Sequence, residues 1–175
     1  MIREIIDAHI RSIPDFPKPG INFKDITPLL AQSKASAALL DHFEEVYKDA
    51  QLDVLVGIES RGFLFGMALA IRLGIPFVPV RKEGKLPGQI YQYSYDLEYG
   101  SSILEIHKDA LQEGARVLIH DDLLATGGTA QASAELVKKL GGELAGFCFI
   151  IELEGLNGRE KLAAYSDNIH STISY

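Results

Sequence analysis

Val117-Leu118-Ile119-His120-Asp121-Asp122-Leu123-Leu124-Ala125-Thr126-Gly127-Gly128-Thr129 reads as an apolar strand running into two acids and then into a turn of small residues that opens a helix. Arg116 to His120 supplies the strand, and a helical pattern follows from about Thr129 to Leu140, closed by Gly141-Gly142. A glycine-rich turn exposes successive backbone N–H groups, and the helix that follows adds the positive end of its dipole, so the pair suits a phosphate. Thr126 and Thr129 add hydroxyl donors. The stretch has neither the Gly-Lys-Ser/Thr ending of a Walker A loop nor the Gly-x-Gly-x-x-Gly of a dinucleotide fold. Two carboxylates at a strand end suit hydrogen bonds to neighbouring sugar hydroxyls, which places a ribose beside the phosphate. The plainer alternative is that Asp121 and Asp122 cap the helix while the glycines make a tight turn.

Outward from this stretch the chain alternates. Val54 to Ile58 reads as a strand, Gly62 to Leu73 as a helix ended by Gly74, and Phe77 to Val80 as another strand, a β-α-β unit. Lys82 to Gln89 is charged and carries Gly84, Pro87 and Gly88. Tyr91, Tyr93, Tyr95 and Leu97 then alternate as in a half-exposed strand, with Ile103 to Ile106 as hairpin partner, and Leu144 to Leu153 is a buried strand. Strands alternating with helices predict an α/β fold with a mostly parallel sheet covered on both faces. Upstream, Ile2, Ile5, Ile6, Ile10 and Ile13 predict a helix ending at Pro14, and Lys34 to Asp49 a second. Between them Pro14, Pro17, Pro19 and Pro28 bound an irregular stretch. With the last strand, around Ile169 to Ile173, it is expected to form a small cap.

A chain of 175 residues, 47% apolar and 23% charged, matches one globular domain. The net charge of −7 argues against broad attraction to nucleic acid or anionic lipid, so an anionic ligand needs a local basic pocket. Cys148, the single cysteine, has no intrachain partner and sits in an apolar run, as a buried thiol would. The first residues lack the apolar core of a signal peptide, and no apolar run has membrane-spanning length. The expected compartment is a reducing cytoplasm. His9, His42, His107 and His170 show no metal-ligand spacing, and His120 reads as a buried neutral residue.

The stretch from Asp121 to Thr129 resembles the phosphoribosyl-pyrophosphate fingerprint of the type I phosphoribosyltransferases, in the form carried by members that use adenine. Pro14-Asp15-Phe16-Pro17-Lys18-Pro19-Gly20, Ser60-Arg61-Gly62-Phe63-Leu64-Phe65-Gly66, Arg81-Lys82-Glu83-Gly84-Lys85-Leu86-Pro87 and Leu97-Glu98-Tyr99-Gly100 follow the family's other motifs in order. The match runs from about Ile13 to Leu153. It implies a central sheet flanked by helices, a small hood from the N-terminal segment, a flexible hairpin loop and one domain over residues 1–175.

By this resemblance Ala125, Thr126, Gly127, Gly128 and Thr129 hold a 5′-phosphate while Asp121 and Asp122 face ribose hydroxyls. Glu59, Ser60 and Arg61 form a second anion turn, for pyrophosphate, with Arg81, Lys82 and Lys85 assisting. Arg81 would reach across a homodimer interface. Glu98 would be catalytic, handling the proton that leaves the purine imidazole ring, under a hairpin lid that keeps water out. Adenine would stack on Phe23 with Leu123 on its other side, its edge read by the main chain of Asn22 and Lys24. The family pattern at that place is Phe-Arg, so Lys24 keeps the charge and loses the planar fork. Mg²⁺ is the implied cofactor, held mainly by the substrate rather than by protein ligands. Transfer to another purine, or a regulator that binds phosphoribosyl pyrophosphate without turnover, are the competing readings. The second would need an output module, and no basic recognition helix is present.

Overall fold

The computed structural model describes residues 1–96 and 101–175, which divide into two compact units, Met1–Val46 and Tyr47–Tyr175. The first unit begins with α1 (Ile2–Asp7), β1 (Arg11–Ile13) and β2 (Phe23–Asp25), followed by α2 (Thr27–Leu30) and most of α3 (Ser33–Tyr47). The helix expected to reach Pro14 stops at Asp7. Arg11–Ile13 is extended instead and pairs antiparallel with Phe23–Asp25, so the supposedly irregular proline segment contains a strand. An ion pair decides this. The Arg11 guanidinium lies 2.6 and 3.0 Å from the Asp25 carboxylate, its register partner, and β-branched Ile10 and Ile13 suit a strand as well as a helix.

Asp25 also accepts hydrogen bonds from the N–H and the hydroxyl of Thr27, tying β2 to the start of α2. The Thr27 bonds, helped by Arg11 and opposed by burial, lower its pKa from 3.8 to about 2. A depressed carboxyl stabilises the fold above its unfolded pKa, and the contribution is lost as pH falls through the folded value. Asp25→Asn is therefore expected to cost about 2 kcal/mol at pH 7, a deficit that shrinks between pH 4 and pH 2. Urea melts of both proteins across that range check it; a deficit that persists at pH 2 would mean that charge is not its cause.

The second unit is built on β3 (Val54–Ile58), α4 (Gly62–Leu73), β4 (Phe77–Lys82), β5 (Ile90–Asp96), β6 (Ser101–His107), β7 (Arg116–Leu124), α5 (Gly128–Lys139), β8 (Glu143–Glu152), α6 (Gly158–Ala163) and β9 (Ile169–Ser174). A short 3₁₀ turn, Glu154–Leu156, precedes α6. The sheet has seven strands in the order β5-β6-β4-β3-β7-β8-β9. From β4 to β9 neighbours are parallel; the β5–β6 hairpin joins β4 antiparallel.

Side-chain alternation fills both faces. Val54, Val56, Ile58, Val117 and Ile119 pack with Ala130, Ala134 and Val137 of α5. Leu55 and His120 point the other way, so close to α4 that a Cβ on Gly66 would come within 3.3 Å of Leu55 and 3.1 Å of His120. From β3 the chain crosses to β4 on one side, and from β7 it crosses to β8 on the other. The strand order thus reverses between β3 and β7, and right-handed crossovers put α4 and α5 on opposite faces there. Ligands of open α/β sheets collect at such a reversal, outside the carboxyl ends of the strands.

Two expectations are corrected. β9 is an edge strand of the main sheet, parallel to β8, rather than part of a cap. A parallel return needs a crossover, which α6 provides, though its six residues bury Leu162 as their only large apolar side chain and give no periodic signal. β7 runs on past His120 to Leu124, with Asp121 opposite Phe149 and Leu123 opposite Ile151. The two acids are strand residues, and the helix cap that the plainer reading gave them belongs to Gly127.

Candidate active site

At the end of β7 the chain must turn sharply into α5, and Gly127 makes that turn with φ 77°, a conformation that favours glycine. α5 then points its N-terminus into the turn with no acidic residue in its first turn. Asp121, Leu123, Ala125, Thr126, Gly127, Gly128 and Thr129 line one depression of about 70 Å³, floored by Phe149. Backbone donors, hydroxyls and a helix dipole thus converge, as phosphate binding needs. The Thr129 hydroxyl donates to the Tyr95 hydroxyl on β5 at 3.5 Å, linking the turn to the hairpin.

The second anion turn leaves the neighbouring strand. Glu59, Ser60, Arg61 and Gly62 follow β3, and the Glu59–Ser60 peptide bond is cis. Arg61 places its Nε 3.0 Å from the Asp122 carboxylate, joining the two turns across the β3–β7 reversal. Packing is tight here: a Cβ on Gly62 would lie 2.8 Å from the His120 carbonyl and 3.0 Å from the Asp121 carboxylate. Asp122 is therefore not on the wall of the phosphate depression, as Asp121 is; it is buried and points to Arg61.

β4 runs on past Val80 to include Arg81 and Lys82, and the basic residues at its end and in the loop that follows are held by carboxylates that residue pattern alone did not reveal as a group. Glu59 receives Arg81 Nε at 3.1 Å, Arg81 Nη2 at 3.2 Å and the Lys82 N–H at 2.9 Å. Burial raises its pKa, but these bonds outweigh burial and leave it below the usual carboxylate range. Arg81 also donates to the Lys85 carbonyl at 3.3 Å. Glu105, absent from the expected site, is 1% exposed and accepts from the N–H groups of Gly84 and Leu86 and from Gln92, at 3.0, 3.3 and 2.9 Å. It pins the loop that carries Lys85, just beyond the end of β4. A charged residue within an alternating strand was the one signal available, and a solvated face explains such a residue equally well.

Burial and the adjacent Asp122 charge push the Asp121 carboxyl well above its ordinary pKa. Asp122 is raised by burial too, against the pull of Arg61. His120 is fully buried, donates from Nδ1 to the Cys148 carbonyl at 3.0 Å and is lowered by burial to about 4, which keeps it neutral. Among the described residues no three His, Cys, Asp or Glu side chains are placed to hold a metal ion.

In the first unit Asn22 is exposed and Phe23 half-buried, its ring edge-on to Phe16 with centroids 5.3 Å apart. Lys24 is buried, its ammonium donating to the Ser12 hydroxyl at 2.9 Å across the β1–β2 pair. Glu98, with Leu97, Tyr99 and Gly100, lies outside the described residues.

A larger cavity, about 470 Å³, opens at the opposite end of the strands beside Asp53, Asp109 and Glu113, with no Lys or Arg in its lining. Its charge repels polyanions, whereas the β3–β7 crevice has Arg61 and the N-terminus of α5 beside it. Comparison with known proteins agrees. Residues 26–173 match the model of the phosphoribosyl transferase domain. The adenine phosphoribosyltransferase of Sorangium cellulosum is 58% identical over 158 residues, 90% of this chain and 79% of that protein. The crystal structure of the adenine phosphoribosyltransferase from Thermoanaerobacter pseudethanolicus covers all of both chains at 52% identity with a TM-score of 0.95. That of the Saccharomyces cerevisiae enzyme, complexed with an imino-altritol bisphosphate and adenine, covers 98% of each chain at 41% identity with a TM-score of 0.91. The paired anion turns at the strand reversal and these likenesses have one meaning: the chain belongs to the phosphoribosyltransferase family, among the adenine phosphoribosyltransferases.

Proposed function

We propose that this chain transfers the phosphoribosyl group of 5-phosphoribosyl-1-pyrophosphate to adenine, forming AMP and releasing pyrophosphate in purine salvage. The observation that carries the reading is the pair of anion turns on adjacent parallel strands, joined by Arg61 and Asp122 at 3.0 Å. A ribose with phosphate at one end and diphosphate at the other fits such a pair. The turn at Ala125, Thr126, Gly127, Gly128 and Thr129 grips the 5′-phosphate, Asp121 on its wall receives the ribose hydroxyls, and Asp122 serves the same ribose from behind by holding Arg61. Ser60 and Arg61 face the diphosphate, with Glu59 holding Arg81 and the Lys82 amide beside them. Lys82 and Lys85 add charge against the leaving group. Remote grip on the phosphate positions the anomeric carbon for displacement through an oxocarbenium-like transition state. Glu98 takes the imidazole proton of the base.

Oxygen donors suit Mg²⁺, which keeps water and substrate oxygens in its shell, and the carboxylates facing the ribose hydroxyls fit that role from outside. When bound, it neutralises charge on the departing pyrophosphate. By the family resemblance, Asn22, Phe23, Lys24 and Leu123 are assigned to adenine. A homodimer is supported by Leu64, Met67 and Ile71, spaced along one side of α4 and 48%, 47% and 67% exposed. Cytoplasmic residence is supported by the lone buried thiol Cys148.

Pyrophosphate release measured with and without adenine tests the reading. Release that needs adenine and Mg²⁺ is expected, with AMP formed in equal amount. Tight binding of phosphoribosyl pyrophosphate with no release would instead establish a sensor, and preferential release with another purine would reassign the base.

A further inference from the structure

Behind the phosphate turn, the chain that leaves β8 comes back to touch it. A Cβ built on Gly158, the first residue of α6, would lie 2.2 Å from the Ala125 carbonyl oxygen, 2.8 Å from a Leu124 methyl and 3.1 Å from the Gly127 nitrogen. From the other side, a Cβ on Gly127 would lie 2.9 Å from the Gly158 carbonyl oxygen. The two backbones are in contact with no room for a side chain between them. Gly158 has no need of glycine's special backbone freedom, since its φ lies outside the left-handed region. Closeness alone excludes a side chain there.

The position of Gly158 is in turn fixed by its neighbour. Arg159 donates from Nε to Glu152 at 2.8 Å and from Nη2 to the other oxygen of the same carboxylate. It also donates from Nη1 to the Ile169 carbonyl at 2.8 Å, clamping the start of α6 to β8 and β9. The Leu153 N–H donates to the Leu124 carbonyl at 2.9 Å, closing the same corner against the end of β7.

The geometry points to Gly158 as a positioning residue of the phosphate turn: it is a backstop, held by the Arg159–Glu152 pair, that sets where the Ala125 carbonyl and the Gly127 N–H stand and so aims the donors at the 5′-phosphate. This rests on the reading of the turn as the 5′-phosphate site. Gly158 touches no substrate, and it acts through Ala125 and Gly127. A methyl group at residue 158 would force the Ala125 carbonyl back by roughly an ångström, and displacements of that size in a positioned site cost on the order of tenfold to a hundredfold. The loss is confined to ligands that carry the 5′-phosphate, because the pyrophosphate turn leaves a different strand.

Calorimetric titration with ribose 5-phosphate and, separately, with pyrophosphate in the presence of Mg²⁺ tests this. Gly158→Ala is expected to weaken ribose 5-phosphate about tenfold or more while pyrophosphate stays within about twofold. Gly155→Ala, a few residues upstream with nothing within 4 Å of its built Cβ, should change neither. Arg159→Gln loosens the clamp without inserting an atom at the contact, and should weaken ribose 5-phosphate a few-fold with the same selectivity. Should Gly158→Ala fail to fold, this variant carries the test. Wild-type ribose 5-phosphate binding in Gly158→Ala, or equal loss of both ligands, overturns the inference. Thr129→Ala separates the two levels: it lies in the turn itself and should also weaken ribose 5-phosphate. If it does and Gly158→Ala does not, only the backstop is wrong; if it does not, the phosphate turn is misassigned and the backstop falls with it.

Discussion

Replacing Asp121 and Asp122 together by asparagine is expected to lower turnover by about a thousandfold or more while the chain stays folded. A carboxylate that accepts from a ribose hydroxyl, as expected of Asp121, contributes about 1.5–3 kcal/mol as a charge-assisted bond, loss of the Asp122–Arg61 pair frees the second turn, and both negative charges would stabilise the positive charge that grows at the sugar ring during displacement. The fold tolerates the change for reasons visible around the pair. The Asp122 N–H donates to Asp121 Oδ1 at 2.8 Å, an acceptor that asparagine retains. Arg61, left without its carboxylate, is 40% exposed and can be hydrated. Asp121→Asn alone should be more stable than the wild type. Its carboxyl is raised well above 3.8 by burial and by Asp122, so the folded state holds its proton more tightly than the unfolded one. Stability therefore falls as pH rises from the unfolded value toward the folded one, and asparagine removes that loss. The gain should be absent near pH 3 and present at pH 8, where Tm rises by about 2–4 °C for each kcal/mol relieved. Initial rates of pyrophosphate release and thermal melts at both pH values check this. Unchanged turnover in the double variant, with Mg²⁺ dependence intact, would remove the acids from the ribose site.

Adenine should exceed hypoxanthine in kcat/KM by roughly a hundredfold or more, and Lys24→Ala should preserve that ratio. Successive residues of an extended chain send their main-chain groups to opposite sides, so the carbonyl of Asn22, just before β2, and the N–H of Lys24, two residues on, are the pair expected to read the base. Together they would supply one acceptor and one donor, the pattern that the 6-amino group and N1 of adenine require. Hypoxanthine presents the reverse at both places, leaving buried polar groups unpaired at about 1–3 kcal/mol each. The Lys24 side chain has other duties: it is buried and its ammonium donates to Ser12 at 2.9 Å on the partner strand. Truncation should lower overall turnover through a loosened β1–β2 pair and leave the preferred base unchanged. Steady-state kinetics with both bases on both proteins decide the matter. Equal use of the bases by the wild type would sink the adenine assignment, and loss of preference confined to the variant would show that the side chain reads the base.

Elements whose signals are local were legible without coordinates. Val54–Ile58 and the helix Gly62–Leu73 with its stop at Gly74 agree with the reading residue for residue, because a continuous apolar strand, a helical period and a glycine cap each depend on near neighbours in the chain. The tight turn into α5 was legible for the same reason: its small residues are consecutive in the chain. Ile10 and Ile13 misled because a helix and a paired strand both accept isoleucine, and the choice lay with Asp25, fourteen residues from Arg11. The run from Asp121 to Leu124 stayed extended because β8 pairs with it along its whole length.

By itself the sequence determined the alternation of strands and helices, the glycine turn into α5 and the two acids that precede it, since each is set by the order of neighbouring residues. Only the tertiary structure decided that Asp122 turns to Arg61, that Glu59 and Glu105 hold the basic loop, and that Gly158 stands behind the turn. These contacts join residues far apart in the chain. They exist because parallel strands bring distant loops to one edge of the sheet, where burial favours the pairing of opposite charges and close packing leaves no room for an extra methyl group.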